Sequence, residues 1–276
     1  MEDGMIIIKI GDGMGNQMFN YACGYALARR DGEQLKLDTS ECDNSNLRDY
    51  ELDFFNIKYD AKESYPNRTV WQKIYKRIRR DLKYHVYKEK DWFTVDMRIY
   101  KKTLRNRYLH GYWQNVAYFK EYLNELCEMF TPKRELRMEV RTLIDRFSME
   151  ETCAVHVRGG DINGPVPEYF RKAMQMMKKK EEKIQFIIFT NDKQKAAECI
   201  GVCDEEEHIS YIGNYGEFSD KEEFLLMSAC KNHIISNSSY STWAAYLNQN
   251  EEQIVMVPQY KGVQQMCLEN WQIVEV

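Results

Sequence analysis

The sequence has no long hydrophobic run: apolar stretches such as Met5–Ile8 and Phe186–Phe189 are four residues long, whereas a transmembrane helix needs about 18. It also has little glycine and proline, with 14 and 5 residues respectively, which excludes a collagen-like or linker-dominated chain. Glu2 and Asp3 stand where a secretory leader would be basic and then apolar, so no signal peptide is predicted. These absences predict a soluble, cytoplasmic protein.

Familiar metal-binding and phosphate-binding signatures are missing as well. The eight cysteines include no CxxC pair and no zinc-ligand spacing, so we expect reduced thiols and neither a zinc site nor a disulfide framework. The chain contains no HExxH, no GxxxxGK[ST] and no acidic cluster at divalent-metal spacing. With 39 Lys and Arg against 43 Asp and Glu, the net charge of −4 disfavours nucleic acid as a partner. We therefore expect no metal ion.

What the second half does have is a regular alternation of short β-rich runs and helical windows. The runs cover 153–157, 184–190, 208–212, 233–236 and 253–257, and the windows cover 168–182, 192–200, 217–230 and 239–248. Such alternation predicts an α/β fold in which helices cover both faces of a parallel sheet. The first half begins in the same way, with strands at 5–10 and 34–37 around a helix at 17–30. A change of pattern near 131–152 predicts two domains, 1–150 and 151–276.

A basic segment covers residues 71–92 and contains eight Lys or Arg against three acids. Five apolar residues share one helical face in it: Trp71, Ile74, Tyr75, Ile78 and Leu82. One interpretation is a solvated helix that packs on the body through this apolar stripe. The other is a patch that docks on an anionic membrane surface or a partner.

A glycine-rich turn joins the first predicted strand to the first predicted helix. Gly11, Gly13 and Gly15 allow a tight turn and close approach of a ligand, and the N-terminus of the helix that follows suits a phosphate. One interpretation is a dinucleotide fingerprint with Asp38 as the ribose-binding acid, although Asn16 stands where the third glycine of GxGxxG belongs. A second makes Asn16 and Gln17 polar contacts to a phosphate or sugar, and a third is a tight turn without a ligand.

Polar side chains follow the predicted strands of the second half. His156, Arg158 and Asp161 follow the first of them, Asn191 and Asp192 the second, and residues 237–239 the fourth. Ligands of doubly wound sheets bind outside the carboxyl ends of the strands. Arginine suits bidentate phosphate contact, hydroxyl groups suit other oxygens, and acids suit a base or ribose. The sequence therefore predicts a site for a phosphorylated, nucleoside-bearing ligand at the carboxyl ends of these strands. Several of these residues could instead serve as helix caps.

Six segments, in order along nearly the whole chain, resemble the bacterial type of GDP-fucose-dependent α-1,2-fucosyltransferases. They are GMGNQMFNYACGYALA (13–28), YELDFFNI (50–57), LHGYWQN (109–115), HVRGGD (156–161), FTND (189–192) and SNSSYSTWAAYLN (236–248). The resemblance implies a GT-B-like architecture of two Rossmann-like domains, with the nucleotide site in the cleft and GDP held mainly by the C-terminal domain. It implies metal-independent, inverting transfer of L-fucose from GDP-β-L-fucose to the 2-hydroxyl of a galactose-type acceptor. GDP-fucose is then a co-substrate, and no cofactor is expected.

The same resemblance assigns roles to individual residues. Arg158 would bind the pyrophosphate, His156 would lie near the guanosine, and Asn16 would take part in the phosphate environment. Asp161 is the candidate general base and Glu168 a weaker one, with an ion pair to Arg158 and a helix first-turn acid as their respective alternatives. The remaining donor-binding candidates are Gly15, Gln17, Asp192, Asn237, Ser238 and Ser239.

One position departs from the family pattern. The family motif HxRRxD has paired arginines, and Gly159 occupies the second of these positions. This raises the alternative of a GDP-sugar-binding protein with weak or no catalysis, beside the less favoured NAD-dependent oxidoreductase. For the acceptor, Trp113 and Gln114 are candidates, since aromatic faces stack on sugars, but a buried aromatic core is an equal alternative. The basic segment suggests the hypothesis of a lipid-linked acceptor at the inner face of a membrane, as in surface-polysaccharide assembly.

Overall fold

The computed structural model describes residues 4–44, 48–63, 74, 77–78, 84–101, 106–160, 166–201 and 208–276. The chain divides into two units, Met1–Arg134 and Glu135–Val276. The division falls before the predicted 150/151 boundary because the helix at Met138–Met149 packs within the second unit. Arg137, which precedes this helix, donates to the Glu222 carboxylate at 2.7 Å, and the Phe147 ring lies 5.3 Å from that of Tyr215.

The first unit contains a five-stranded, wholly parallel sheet in the order β3-β2-β1-β5-β4. Its strands are β1 (Met5–Lys9), β2 (Gln34–Asp38), β3 (Ala61–Glu63), β4 (His85–Lys88) and β5 (Asn106–His110), and its helices are α1 (Met14–Asp31) and α2 (Leu123–Met129). The central strand β1 is buried from Ile6 to Ile8, as expected for a strand covered on both faces. Gly32 ends α1 with φ +67°, a left-handed conformation that glycine adopts without a steric penalty.

The second unit contains a six-stranded parallel sheet in the order β11-β10-β9-β6-β7-β8. Its strands are β6 (Thr152–Val157), β7 (Gln185–Thr190), β8 (Ile209–Tyr211), β9 (Asn232–Ile234), β10 (Val255–Pro258) and β11 (Gln272–Val274). Its helices are α3 (Met138–Met149), α4 (Pro167–Lys180), α5 (Lys193–Ile200), α6 (Asp220–Ala229), α7 (Ser239–Tyr246) and α8 (Lys261–Gln264). Every residue of β6 is buried, so this strand is the centre of the unit's core.

The α/β fold with two parallel sheets that the sequence predicts is confirmed. Of the basic segment, residues 71–73, 75–76 and 79–83 lie outside the described residues. Ile74 and Ile78 are 44% and 54% exposed, so these two side chains do not form a packed apolar stripe. A helix through residue 92 is wrong, because His85–Lys88 pair with β5 as β4. In the described part of the chain, no helix is long and apolar enough to cross a membrane.

Candidate functional site

Strand order reverses between β6 and β9 in the second unit. From β6 the chain moves to β7 and β8 on one side, and β9 then pairs with β6 on the other side. Such a reversal opens a crevice at the carboxyl ends of the two central strands, because the loops that leave them diverge. The residues that follow β6 and β9 are therefore placed to meet a ligand.

His156 lies at the carboxyl end of β6 and is 9% exposed. Its Nδ1 lies 2.9 Å from the hydroxyl of Ser236, which follows β9. The ring of Tyr240 lies 5.7 Å away. Burial, and then the positive charge of Arg158, lower the pKa of His156 to about 3. The imidazole is therefore neutral at physiological pH.

Arg158 lies two residues beyond His156, so its side chain leaves the strand on the same side. Its Nη1 donates to the Ser238 hydroxyl at 3.4 Å. Ser238 is the N-cap residue of α7, and its side chain accepts no capping hydrogen bond from that helix. A guanidinium and the positive end of a helix dipole thus lie side by side, which is an arrangement suited to phosphate oxygens. Asn237 is half-buried beside Ser238, and Ser239 is the first residue of α7.

A steric constraint explains why residue 159 is a glycine. A Cβ at Gly159 would lie 2.3 Å from the Cβ of Asp192, which is far inside van der Waals contact. The Gly159 N–H also donates to the Asn191 side chain at 2.8 Å. Asp192 itself caps α5 by accepting from the Lys195 N–H at 3.0 Å. The turn after β6 is thus held against the loop after β7, with no room for a side chain.

We expect Gly159→Ala to lower the free energy of unfolding by about 1–3 kcal/mol, because the new methyl group forces the two loops apart. Differential scanning calorimetry of the variant measures this loss. Gly213→Ala is the matched control, since the nearest atom to a Cβ there is Lys193 Nζ at 3.9 Å. A Gly159→Ala protein that melts with the wild type would contradict the steric explanation.

The glycine-rich turn of the first unit differs from its prediction. The left-handed residue is Asp12, with φ +59°, and none of the three glycines has a positive φ. A Cβ at Gly11 would lie 2.6 Å from the Glu41 carboxylate, so a larger residue there would require the end of the Glu41 side chain to move. Helix α1 begins at Met14, which places Gly15 inside its first turn as a buried residue. Gly13 is the N-cap residue, in an extended conformation that other residues also adopt.

Two residues predicted to bind a ligand at this edge form hydrogen bonds with other groups of the protein. Gln17 is fully buried; its Nε2 donates to the carbonyls of residues 12 and 49 at 2.8 and 2.7 Å, and its Oε1 accepts from the Glu51 N–H. Asp38 is 2% exposed and accepts from the Tyr108 hydroxyl at 2.7 Å and the Ser40 N–H at 3.1 Å. Both side chains are buried and held by protein hydrogen bonds, and ligand contact through either of them stays a prediction.

The remaining predictions for the first unit concern Asn16, Gln114 and Trp113. Asn16 lies in the first turn of α1, and its Oδ1 accepts from Gln114 Nε2 at 2.7 Å. The pairing joins the first turn of α1 to the loop after β5, at the edge where the strand order of this sheet reverses. Trp113 is fully buried and packs edge-on to Tyr118 at 5.5 Å, so its ring offers no face to an acceptor sugar. The buried-core alternative for Trp113 is therefore the one that the structure favours.

Sequence reasoning gave no role to two residues at these edges, Ser236 and Arg48. Ser236 falls inside a predicted strand, whereas Asn191 is predicted as a polar residue that follows a strand. Arg48 lies beside the glycine-rich turn, 4.0 Å from a Cβ at Gly13, and precedes the YELDFFNI segment by two residues. Asp161, the candidate base, lies outside the described residues, and Glu168 is in the first turn of α4. Over the described ranges, no three His, Cys, Asp or Glu side chains are grouped so as to hold a metal ion.

Comparison with known proteins gives consistent relatives. The profile of Glycosyl transferase family 11 matches residues 2–274. An alpha-1,2-colitosyltransferase of Escherichia coli is 28% identical, covering 92% of this chain and 91% of the relative. The O-antigen biosynthesis glycosyltransferase WbnK of Escherichia coli is also 28% identical, with 90% and 92% covered. Galactoside alpha-(1,2)-fucosyltransferase 2 of Rattus norvegicus is 23% identical, with 88% and 67% covered.

Among solved structures, a point variant of Arabidopsis thaliana FUT1 in complex with GDP is similar in fold. Its TM-score is 0.54 at 11% identity, and the match covers 94% of this chain and 72% of that one. This likeness confirms the GT-B type of fold that the resemblance implies, with its two Rossmann-like sheets. The match of the family profile to nearly the whole chain shows that the protein belongs to glycosyltransferase family 11.

Proposed function

We propose that the protein transfers L-fucose from GDP-β-L-fucose to the 2-hydroxyl of a galactose-type acceptor, with inversion at the anomeric carbon, in surface-polysaccharide biosynthesis. The observation that carries this proposal is the Arg158 guanidinium, bonded to Ser238 at the N-terminus of α7. The linkage is supported by relatives named as α-1,2-colitosyl- and α-(1,2)-fucosyltransferases. The biological setting is supported by a relative named for O-antigen biosynthesis.

In this mechanism, GDP leaves the fucose C1 in a single displacement with an oxocarbenium-like transition state. Negative charge then grows on the β-phosphate oxygens. Arg158 and the first N–H groups of α7 meet that charge with donors already in place, so no metal ion is required. The acceptor hydroxyl loses its proton to a carboxylate, for which Asp161 is the first candidate and Glu168 the second.

The competing function is a GDP-sugar-binding protein with little transfer, and Gly159 is the observation that favours it. The close approach of Asp192 excludes any side chain there, so this chain cannot supply the second arginine from that position. An NAD-dependent oxidoreductase has lost its main support, because Asp38 is bonded to Tyr108 and Ser40.

A transfer assay separates these functions. The purified chain is incubated with GDP-fucose, GDP-colitose or a UDP-sugar and a β-galactoside acceptor, with and without EDTA, and the product linkage is determined by NMR. The proposal expects an α-1,2-linked product whose yield EDTA does not change. GDP-sugar binding without any product would instead support the binding-protein alternative. Loss of activity in EDTA would contradict the metal-independent mechanism, and UDP-sugar use would contradict the donor.

A further inference from the structure

The Ser236 hydroxyl is buried against the ring of His156. Ser236 is 0% exposed, and its Oγ lies 2.9 Å from Nδ1 of His156. Within the described part of the chain this is the one hydrogen bond that the hydroxyl makes. The two residues belong to different strand ends, since His156 lies on β6 and Ser236 follows β9.

The direction of this hydrogen bond follows from the donor and acceptor inventory of the two groups. A serine hydroxyl carries a hydrogen that must find an acceptor when it is buried. Here the available acceptor is Nδ1. If Nδ1 itself carried the proton, it would donate to Oγ and leave the hydroxyl hydrogen without a partner. Ser236 therefore donates, and the ring proton lies on Nε2.

The charge state of the ring points the same way. Burial and the neighbouring Arg158 hold the pKa of His156 near 3, so the ring carries one proton, and its position decides what the ring can bind. Nε2 has no hydrogen-bond partner among the described residues, and this atom is not fully buried. The free edge of the ring is thus a fixed donor beside the Arg158 guanidinium.

We propose that Ser236 is a positioning residue that holds His156 as the Nε2–H tautomer, so that the ring presents a hydrogen-bond donor to an acceptor atom of the nucleotide-sugar donor. The acceptor is an oxygen or ring nitrogen, such as the guanine carbonyl or a phosphate oxygen. This inference rests on the proposed function, because it assigns the ligand of the same site. Where the acceptor is the guanine carbonyl, a donor at this position discriminates against adenine, which carries an amino group there.

Neighbouring contacts show why the arrangement is rigid. The two residues that leave β6 on one side, His156 and Arg158, each bond to a serine of the loop after β9, Ser236 and Ser238. The loop is closed on itself by the Ser238 N–H, which donates to the Ser236 carbonyl at 2.8 Å. Removing the Ser236 hydroxyl therefore frees the ring while leaving the backbone of the loop in place.

The first test reads the tautomer itself. In ¹⁵N spectra of the histidine rings, we expect an unprotonated Nδ1 and a protonated Nε2 for His156, and a shift toward protonated Nδ1 in Ser236→Ala. His233 provides an internal standard: its Nε2 must donate to the Met227 carbonyl at 2.9 Å, and its Nδ1 lies 2.8 Å from Gln253 Nε2. A protonated Nδ1 of His156 in the wild type would overturn the proposal, whatever the ligand.

The second test measures GDP and ADP affinity by calorimetry. We expect Ser236→Ala to bind GDP about three- to tenfold more weakly, the effect of one lost positioning hydrogen bond. A fall confined to GDP indicates contact with the base, and an equal fall for ADP indicates contact with phosphate. Ser236→Cys, of similar size but a weaker donor, should lie between, and it also serves if the alanine variant does not fold.

Ser241→Ala is the matched control for this test. Ser241 is also 0% exposed, but its hydroxyl bonds to the Ser238 carbonyl within α7 at 3.3 Å. Unchanged GDP affinity in Ser236→Ala, or an equal loss in Ser241→Ala, would overturn the proposal. A wild-type chain that binds neither nucleotide overturns the proposed donor and the ligand assignment with it, while the ring spectra still decide whether Ser236 sets the tautomer.

Discussion

Replacing Arg158 with alanine is expected to lower kcat for fucosyl transfer by about 10²–10³-fold, the usual cost of removing one preorganised donor to a developing negative charge. The guanidinium is the cation that the structure places at the N-terminus of α7, within hydrogen-bond distance of Ser238. In the proposed mechanism this guanidinium meets the negative charge that grows on the leaving β-phosphate. Initial-rate kinetics at saturating GDP-fucose measure the loss.

Two variants sharpen this experiment. Arg158→Lys keeps the positive charge but loses the planar guanidinium, so its kcat should lie between those of the wild type and Arg158→Ala. Arg171→Ala is the control, because Arg171 is an exposed arginine on α4 that donates to the Glu198 carbonyl at 3.1 Å. Wild-type turnover by Arg158→Ala would remove the arginine from the mechanism. An equal fall in Arg171→Ala would assign the effect to stability.

Acid is expected to destabilise the second unit through two buried histidines. Burial lowers the pKa of His233 to about 4 and that of His156 to about 3, whereas in the unfolded chain each titrates near 6.5. Between these values the unfolded chain binds protons that the folded chain does not, so stability falls as pH is lowered. From pH 7 to pH 5 the loss is about 2 kcal/mol for each histidine.

The pH dependence is measured by urea unfolding at several pH values, in the wild type and in His233→Gln. The variant removes one titrating group, so its unfolding free energy should fall by about 2 kcal/mol less over this interval, whatever its stability at pH 7. Comparing the slopes of the two proteins also cancels the contributions of Glu89 and Glu223. Burial raises the pKa values of these two carboxyl groups, so their contributions to stability increase as pH is lowered. Parallel slopes in the two proteins would contradict a neutral, buried His233.

Much of the second unit could be predicted because its strands obey the simplest pattern. Continuous apolar runs such as Phe186–Phe189, flanked by helical windows, indicate buried parallel strands. The rule that ligands bind at the carboxyl ends of strands then selects His156 and Arg158. The structure brings the side chain of each of these two residues to a serine of the loop after β9.

The first unit was harder to predict, for reasons that lie in the backbone. Strand β4 (His85–Lys88) follows a stretch with helical spacing, and its strand state depends on pairing with β5, a partner distant in sequence. Gln17 and Asp38 are polar residues of the kind that contact ligands. Residue type alone does not reveal that their side chains form hydrogen bonds with backbone groups and with Tyr108. The left-handed conformation at Asp12 was likewise hidden among three glycines.

The most direct test of the central claim is thermal unfolding of the whole chain with GDP, UDP or NAD, each with and without EDTA. A ligand at 100 times its Kd adds about 2.7 kcal/mol to the free energy of unfolding, which shifts the melting temperature visibly. The account predicts a shift with GDP that EDTA leaves unchanged, and none of comparable size with UDP or NAD. A shift with NAD alone, or no shift with any nucleotide, would contradict the proposed GDP-sugar donor.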